Sequence, residues 1–212
     1  MDEHLLRYDK SKKYLFLDCE TYNLCLNKCN NLPWQIAFIE TNGENIVKKH
    51  NYYIKWDTDL EISKRAREIT KFDQFKFDKL AVAPEIAEVE LTKAIKNADY
   101  IVGHNIVGFD IYILRSFYQS LNKDWNFFSD KIIDTLALAR AIKLNISIPE
   151  NTDISLFNYK ILNKKSKNLK TRLELLGKEY GIDHDYDNLH DALCDLELNI
   201  KVWDKIKWMI NI

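Results

Sequence analysis

The sequence lacks a strong excess of either charge. Its 212 residues include 31 basic and 32 acidic side chains, for a formal net charge of −1, whereas proteins that grip nucleic acid broadly are strongly basic. An enzyme that must release such a substrate needs only local positive charge, and bound metal ions would neutralise acids at its site. The overall charge therefore neither indicates nor excludes a nucleic-acid substrate.

The sequence also lacks a long apolar run and paired cysteines. No stretch approaches the roughly 20 apolar residues that a membrane-spanning helix requires, and the start, MDEHLLRYDK, has no signal-peptide core. No CxxC pair is formed by the four cysteines, Cys19, Cys25, Cys29 and Cys194. The first three lie close together, but at spacings unlike those of known zinc sites, so we interpret all four as reduced thiols. We expect a soluble protein of the cytoplasm or another reducing intracellular compartment, with no membrane partner.

Neither an internal repeat nor a low-complexity linker divides the chain, and its 46% hydrophobic content allows one sizeable core. We therefore expect a single domain over residues 1–212. Five strands are predicted, in the segments YLFLD, WQIAFIET, NIVKKHNYYIKW, YIVGH and KIID. Helices are predicted over residues 59–69, 84–97, 109–121, 135–144, 171–181 and at the end of the chain, whereas 145–170 reads as an irregular segment. This order predicts a mixed α/β sheet of five strands, antiparallel at the start and then parallel, with helices on both faces.

The first of three acidic motifs, LDCET, lies at the end of the first predicted strand. Because side chains alternate along a strand, Asp18 and Glu20 share a face and lie about 7 Å apart. Burying two such anions without a partner costs several kcal/mol or forces protonation, so a pair that points into the fold implies a bound cation. The alternative is that the strand ends at Asp18 and both acids reach water.

The second motif, GHNIVGFD, falls where a strand passes into a helix. Asp110 lies in the first helical turn, where the helix dipole favours an acid whatever its function. Phe109 has the chemistry either to stack on a base or to pack in the core. Asn105 is suited either to cap the helix or to hydrogen-bond near a site. The sequence leaves these alternatives open.

The third motif, HDALCD, carries a geometric constraint. Five residues at about 100° each place His190 and Asp195 about 140° apart on an ideal helix, so the two cannot face one site if both lie within it. We therefore expect His190 to precede the helix and Asp195 to lie one turn inside it. An imidazole of ordinary pKa, about 6.5, suits a general base. Together the motifs offer the carboxylates and histidine needed to hold two divalent metals against a phosphodiester.

In this order the motifs resemble those of the DnaQ-like 3′ to 5′ exonucleases, in the branch called DEDDh for four acids and a histidine. The resemblance covers nearly the whole chain and implies a ribonuclease H-like fold. The residues that match the family motifs are Asp18, Glu20 and Thr21, then His104, Asn105, Phe109 and Asp110, then His190 and Asp195. A sister branch has a tyrosine four residues before the last aspartate, and here that residue is Asp191, which favours the histidine branch.

The resemblance also implies the chemistry. Asp18, Glu20 and Asp195 would hold one Mg²⁺ or Mn²⁺ ion, and Asp18 would bridge to a second ion held by Asp110 mainly through water, at roughly 3.5 to 4 Å from the first. His190 would be the general base for the attacking water, and the product a nucleoside 5′-monophosphate. Asp134, in the stretch IDTLALAR, is expected to be structural, as a cap on the helix that follows.

The predicted partner is the 3′ end of DNA or RNA, preferably single-stranded. Candidate substrate contacts are Thr21, Tyr22, Leu24, His104, Asn105, Phe109, Lys164, Lys165 and Lys167. The lysines belong to a run from Lys160 to Arg172 that has six basic residues and no acid. Such a run either clamps a phosphate backbone or is a solvated loop. The chain departs from the family at Tyr22 and Asn23, which replace the common Thr-Gly, and in the longer spacing within the second motif.

Two other functions remain open on the sequence. An RNA-specific trimming exoribonuclease would carry the same catalytic set, because that set does not read the 2′ hydroxyl. An inactive nucleic-acid-binding or polymerase-partner module would keep the fold, although the presence of all five site residues argues against it. Since the chain ends directly after its last predicted helix, we expect a freestanding enzyme, either a monomer or a homodimer.

Overall fold

The computed structural model describes residues 8–24, 26, 31–58, 60–148 and 152–209. The strands in these ranges are β1 (Lys13–Thr21), β2 (Pro33–Asn42), β3 (Asn45–Tyr53), β4 (Tyr100–Gly103) and β5 (Ile132–Asp134). The α-helices are α1 (Lys64–Thr70), α2 (Gln74–Leu80), α3 (Pro84–Asn97), α4 (Asp110–Ser120), α5 (Thr135–Lys143), α6 (Ile154–Asn163), α7 (Leu173–Glu179) and α8 (Ala192–Ile206). Two short 3-10 helices cover Asn126–Lys131 and Tyr186–Asn188.

The strands form one sheet in the order β3-β2-β1-β4-β5. β1 to β3 pair as antiparallel neighbours, whereas β4 lies parallel to β1 and β5 parallel to β4. The mixed five-stranded sheet predicted from the sequence is therefore confirmed. Its middle strand is β1, the strand that carries the first acidic motif.

The two faces of β1 belong to different parts of the core. Tyr14 and Phe16 pack in a cluster with residues of α5 and α8, whereas Leu15 and Leu17 pack in a second cluster with residues of α3 and α4. Because side chains alternate along a strand, Asp18 continues the face that α8 covers. This is the face on which the third acidic motif lies.

The predicted helix at 59–69 is shorter than expected, and a second helix follows it. Ser63 caps α1 by accepting a hydrogen bond from the backbone of Ala66 at 3.2 Å. The helix α2 was missed because its sequence has no apolar periodicity: among its residues Phe77 is buried, whereas Phe75 is 79% exposed. Asp73 starts this helix as its N-cap.

The prediction of an irregular segment over 145–170 is wrong, because α6 lies within it. Asp153 caps this helix by accepting from the backbone of Leu156 at 2.9 Å. Ile154, Phe157 and Ile161 are buried at the three- and four-residue spacing of a helix. None of the helices in the described ranges has both the length and the apolar character needed to cross a bilayer.

Candidate active site

The carboxylates of the first motif lie on the part of β1 that extends past the end of β4. β4 pairs with β1 only up to Phe16 opposite Val102, while β1 continues to Thr21. Asp18 and Glu20 pair with β2 on one side and lie beyond the residues that pair with β4 on the other. Both are half-buried. The alternative in which the strand ends at Asp18 and releases both acids into water is therefore wrong.

Asp110, from the second motif, contacts the same part of β1. It is the first residue of α4 and is 3% exposed. Its Oδ1 accepts a hydrogen bond of 3.0 Å from the backbone N–H of Cys19, a residue of β1 beyond the reach of β4. Burial raises the pKa of Asp110 to about 8, although this hydrogen bond acts in the opposite direction. Asp110 therefore joins the first two motifs through a buried contact.

Asp134 holds the loop that delivers Asp110. Its side chain is fully buried and caps α5, as predicted, by accepting from the backbone N–H groups of Leu136 and Ala137. It also accepts from the backbone of Asn105 and of Val107, each at 3.0 Å. Sequence reasoning missed this second role. The available signal was an acid at the end of β5, the strand that lies beside β4.

The third motif has the geometry expected of it. α8 begins at Ala192, so His190 precedes the helix, where it has a left-handed φ of 73°, and Asp195 lies in the first turn. The Oδ1 of Asp195 accepts a hydrogen bond of 3.2 Å from the backbone N–H of His190. The carboxylate thus fixes the backbone that presents the imidazole.

The three motifs meet in one cluster. Glu20, His190 and Asp195 each offer a ligand atom, and these atoms lie within 4.8 Å of one another. Burial and the negative charges of Asp110, Asp195 and Glu20 raise the pKa of Asp18 well above its ordinary value. The pKa of Glu20 is raised in the same way, and that of Asp195 rises to about 6. The four carboxylates therefore act on one another, and such a concentration of buried negative charge favours a cation.

His190 experiences a different environment from the acids. Burial and the positive charge of Lys71 lower the pKa of its imidazole, while Glu174 opposes them. The ring is therefore mainly neutral at neutral pH, which is the form that accepts a proton.

The residues that follow the first motif are divided between core and surface. Tyr22 is buried, and its hydroxyl donates to the carbonyl of Ile54 at 3.3 Å. Thr21 is buried too, with its hydroxyl 2.6 Å from the carbonyl of Asn23. Leu24 is exposed. Tyr22 thus has a packing role, and contact of these three residues with a terminal base stays a prediction.

In the second motif, His104 is held by both ring nitrogens. Nδ1 lies 3.0 Å from the hydroxyl of Thr135, and Nε2 lies 3.0 Å from the carbonyl of Thr171. Burial lowers the pKa of His104 to about 4, so the ring is neutral, and Nε2–H donates to the carbonyl. The structure therefore gives His104 a cross-linking role between two parts of the fold, and its predicted contact with substrate is untested.

The structure distinguishes between the roles that the sequence left open for Asn105 and Phe109. The N-cap position of α4 is occupied by Phe109 without a side-chain hydrogen bond, so Asn105 does not cap this helix. Asn105 has a left-handed φ of 65°, where its backbone N–H reaches Asp134. Phe109 is half-buried against the cluster that contains α4. This supports the packing role, and stacking on a base stays a prediction.

In the sequence, Asp191 served only to assign the chain to the histidine branch. In the structure it lies next to His190 and contacts several other residues. Its Oδ1 caps α8 by accepting from the backbone of Leu193 and Cys194, at 3.1 and 3.3 Å. Its Oδ2 lies 3.3 Å from the amide nitrogen of Gln35 and 3.6 Å from Nζ of Lys76. The signal in the sequence was an aspartate directly before a helix.

Two of the four cysteines lie in the described residues. Cys19 and Cys194 are free, and Cys194 Sγ lies 3.3 Å from Nε2 of His184. Cys25 and Cys29 lie outside the described residues, and so does any site that would include them.

Comparison with known proteins decides the family. Residues 15–203 match the RNase_T family model, which is described as an exonuclease. The chain belongs to this family. The resemblance to the DnaQ-like 3′ to 5′ exonucleases and to the ribonuclease H-like fold is thereby confirmed. Among curated proteins, none gives a significant match to the chain.

Solved structures of exonuclease I share this fold. E. coli exonuclease I in complex with a dT13 oligonucleotide is 23% identical, with a TM-score of 0.73 over 92% of this chain and 41% of that one. The zinc-bound complex of the E. coli enzyme with single-stranded DNA is 24% identical, with a TM-score of 0.73 over 92% and 40%. Apo exonuclease I is 23% identical, with a TM-score of 0.73 over 93% and 42%. The chain thus spans about two fifths of the length of these proteins.

Proposed function

We propose that this member of the exonuclease family is a metal-dependent 3′ to 5′ exonuclease of the DEDDh branch, acting preferentially on single-stranded ends. The observation that carries the proposal is the convergence of Asp18, Glu20, Asp110 and Asp195 on one another, with a nitrogen of His190 within 4.8 Å of ligand atoms of Glu20 and Asp195. None of the four acids is exposed, as acids of an ordinary surface group would be, and none of them forms an ion pair among the residues that the structure describes.

The donor set fits two Mg²⁺ or Mn²⁺ ions. All four acids offer hard oxygen ligands, and burial raises their pKa values, so a bound cation would offset the cost of ionising them here. Following the resemblance to the DEDDh exonucleases, Asp18, Glu20 and Asp195 would hold one ion, and Asp18 and Asp110 would hold the other. When bound, the ions supply positive charge to the phosphate oxygens and to the leaving 3′ oxygen.

His190 is the proposed general base. The neutral ring takes a proton from the attacking water, whose oxygen forms a bond to the terminal phosphorus while the bond from phosphorus to the 3′ oxygen breaks. The products are a nucleoside 5′-monophosphate and a strand one nucleotide shorter. Asp195 holds the backbone N–H of His190 at 3.2 Å and so orients this residue at the start of α8.

Single-stranded DNA is the proposed substrate because two of the similar solved structures hold it, a dT13 oligonucleotide in one and single-stranded DNA in the other. Leu24 is exposed four residues after Glu20, and Phe109 is half-buried directly before Asp110, so we assign them the contacts to the terminal nucleotide. Four further residues would support the walls of that pocket through their contacts within the fold: Thr21, Tyr22, His104 and Asn105.

Digestion of end-labelled strands tests the proposal. The protein is incubated with 5′-labelled single- and double-stranded DNA and RNA in Mg²⁺, in Mn²⁺ or in EDTA. We expect a ladder that shortens from the 3′ end, fastest on single-stranded DNA, and no cleavage in EDTA. Shortening from the 5′ end, or digestion in EDTA, would contradict the proposal. Cleavage restricted to RNA would make the chain a trimming exoribonuclease.

A further inference from the structure

The stretch between α6 and α7, Lys164–Arg172, gathers positive charge on the surface; we call it the cationic segment. It contains five basic residues and no acid, and all five are exposed: Lys164, Lys165, Lys167, Lys170 and Arg172. Among the residues that the structure describes, none of the four lysine side chains takes part in an ion pair, whereas the charge of Arg172 acts on Glu174. The charges of the lysines are therefore available to a partner outside the chain.

The cationic segment is held by its backbone and not by its own side chains. Nε of Arg140 donates to the carbonyl of Ile161 in the last turn of α6 at 3.2 Å, and the same guanidinium donates to the carbonyl of Lys164. Nζ of Lys143 donates to the carbonyl of Lys170 at 2.7 Å. His104 donates to the carbonyl of Thr171. A solvated loop needs no such anchors.

Two of the side chains that hold the cationic segment are positively charged and so add to its positive charge. Arg140 and Lys143 are themselves cations, and Lys143 is paired with Glu179. Bringing like charges together is unfavourable unless something opposes the repulsion. The chain has 32 acidic residues, yet it places none within the segment. A local positive surface on a protein of net charge −1 is the arrangement that attracts a polyanion.

The cationic segment leads into the active site. Its end is tied to His104, at the start of the motif that carries Asp110. The next residues begin α7, where Glu174 lies close enough to His190 for the two charges to affect each other. At the other end lies α6 with Tyr159, which is 64% exposed. An exposed ring next to phosphate-binding charge offers a surface on which an unpaired base can stack.

We propose that the cationic segment is the track that binds the phosphate backbone of the single strand whose 3′ end enters the active site. The inference rests on the proposed function for the direction of the strand, but binding along the track needs neither metal nor cleavage. Affinity for a long strand is then set mainly by these lysines, and chemistry by the carboxylates.

Binding in EDTA tests the track without chemistry. The dissociation constant of a fluorescein-labelled oligo(dT) of about 20 nucleotides is measured by anisotropy at several salt concentrations. The test variant is Lys164→Glu/Lys165→Glu/Lys167→Glu. We expect its dissociation constant to rise at least about ten-fold and the slope of log K against log salt to fall by about two, since each contact to a single strand contributes about 0.7. Tyr159→Ala should weaken binding on its own, by about five-fold or more.

The matched control replaces three other exposed lysines by glutamate, at the end of the sheet opposite to the cationic segment. They are Lys10, which precedes β1, Lys93 in the second half of α3, and Lys205 in the last turn of α8. The control should bind as the unmodified protein does. The proposal is wrong if both triple variants lose affinity equally or if the Lys164, Lys165 and Lys167 variant loses none. It is also wrong if duplex DNA binds more tightly than single-stranded DNA. A protein that binds through these lysines but does not cleave in Mg²⁺ would refute the proposed function and leave the track standing.

Discussion

At the scale of single residues, His190 is the side chain through which the proposed chemistry is most directly tested. His190→Ala removes the only proposed proton acceptor and leaves the four carboxylates in place. We expect kcat on single-stranded DNA to fall by about 10²- to 10⁴-fold, the usual contribution of a general base. Single-turnover cleavage in Mg²⁺ measures the effect.

His184 provides the matched control for that substitution. It lies near the same helix, but its ring contacts Cys194 and not the carboxylate cluster. His184→Ala should therefore keep kcat within about two-fold of the unmodified protein. If the two histidine variants behave alike, His190 is not the base.

Asp134 is the residue whose importance the sequence understated. Its two carboxylate oxygens accept four backbone N–H groups, two from the loop of the second motif and two from the start of α5. Asp134→Asn replaces one acceptor with a donor that faces an N–H, so we expect the free energy of unfolding to fall by about 1 to 3 kcal/mol. Cleavage should fall as well, because the loop positions Asp110. Urea denaturation and initial rates measure the two effects.

Asp153→Asn is the control, since Asp153 is also an N-cap, for α6, and accepts from the backbone of Leu156 alone. Asparagine caps helices as well as aspartate does, so this change should leave stability nearly unaltered. Equal losses at the two positions would show that Asp134 acts as a cap and nothing more.

What the sequence predicted at this scale depended on local geometry. Strand alternation placed Asp18 and Glu20 on one face, and the helical period separated His190 from Asp195, because both patterns act over a few residues. The roles of Tyr22 and His104 were not accessible, since their partners, the carbonyls of Ile54 and Thr171, are 32 and 67 residues away in the chain. Such contacts depend on the packing of whole elements.

At the scale of elements, the start of α8 connects stability to catalysis. Asp191 caps this helix, and His190 and Asp195 lie on either side of the cap. Asp191→Ala should lower the free energy of unfolding by about 1 kcal/mol, because α8 loses its cap. It should also lower kcat, because the residue that follows His190 is no longer held in place by the cap. Asp191→Asn keeps a capping oxygen and should restore most of both. Thermal melts and kcat for the two variants measure this.

Asp185→Ala serves as the control for Asp191→Ala. Asp185 caps the nearby 3-10 helix Tyr186–Asn188 and lies outside the carboxylate cluster. It should affect stability without a matching fall in kcat. If Asp191→Asn is as impaired as Asp191→Ala, the hydrogen bonds of the cap do not explain the role of this residue, and its charge opposite Lys76 does.

Elements were predicted well where apolar periodicity and a boundary residue agreed. α3 begins at Pro84 and ends at Asn97 as predicted, because proline suits the first turn and the buried residues repeat every three or four positions. α2 lacks such periodicity, and α6 was hidden by the polar residues around it although Ile154, Phe157 and Ile161 carried the pattern. The shortness of β4, which leaves the end of β1 without a partner strand on that side, has no counterpart in the sequence that we could interpret.

At the scale of the whole molecule, the buried acids make stability depend on pH and on metal together. Burial raises the folded-state pKa of all four carboxylates, to about 6 for Asp195 and about 8 for Asp110, and the negative charges of the other acids at the site add to the increase for Asp18 and Glu20. Between about pH 4 and about pH 8 the folded protein then holds more protons than the unfolded chain, so its stability falls as the pH rises through this window. We expect the Tm in EDTA to be lower at about pH 8 than at about pH 5.

A divalent cation should reverse that loss because it binds the deprotonated, folded site and stabilises it by mass action. We therefore expect Mg²⁺ to raise the Tm more at about pH 8 than at about pH 5, where protons compete for the same oxygens. Asp195→Asn removes one ligand charge and should reduce the Mg²⁺ effect, whereas Asp183→Asn, an exposed acid outside the cluster, should not. Matched NaCl separates specific binding from screening. An increment in Tm that is the same at both pH values, or that NaCl reproduces, would mean that the carboxylates do not hold the metal.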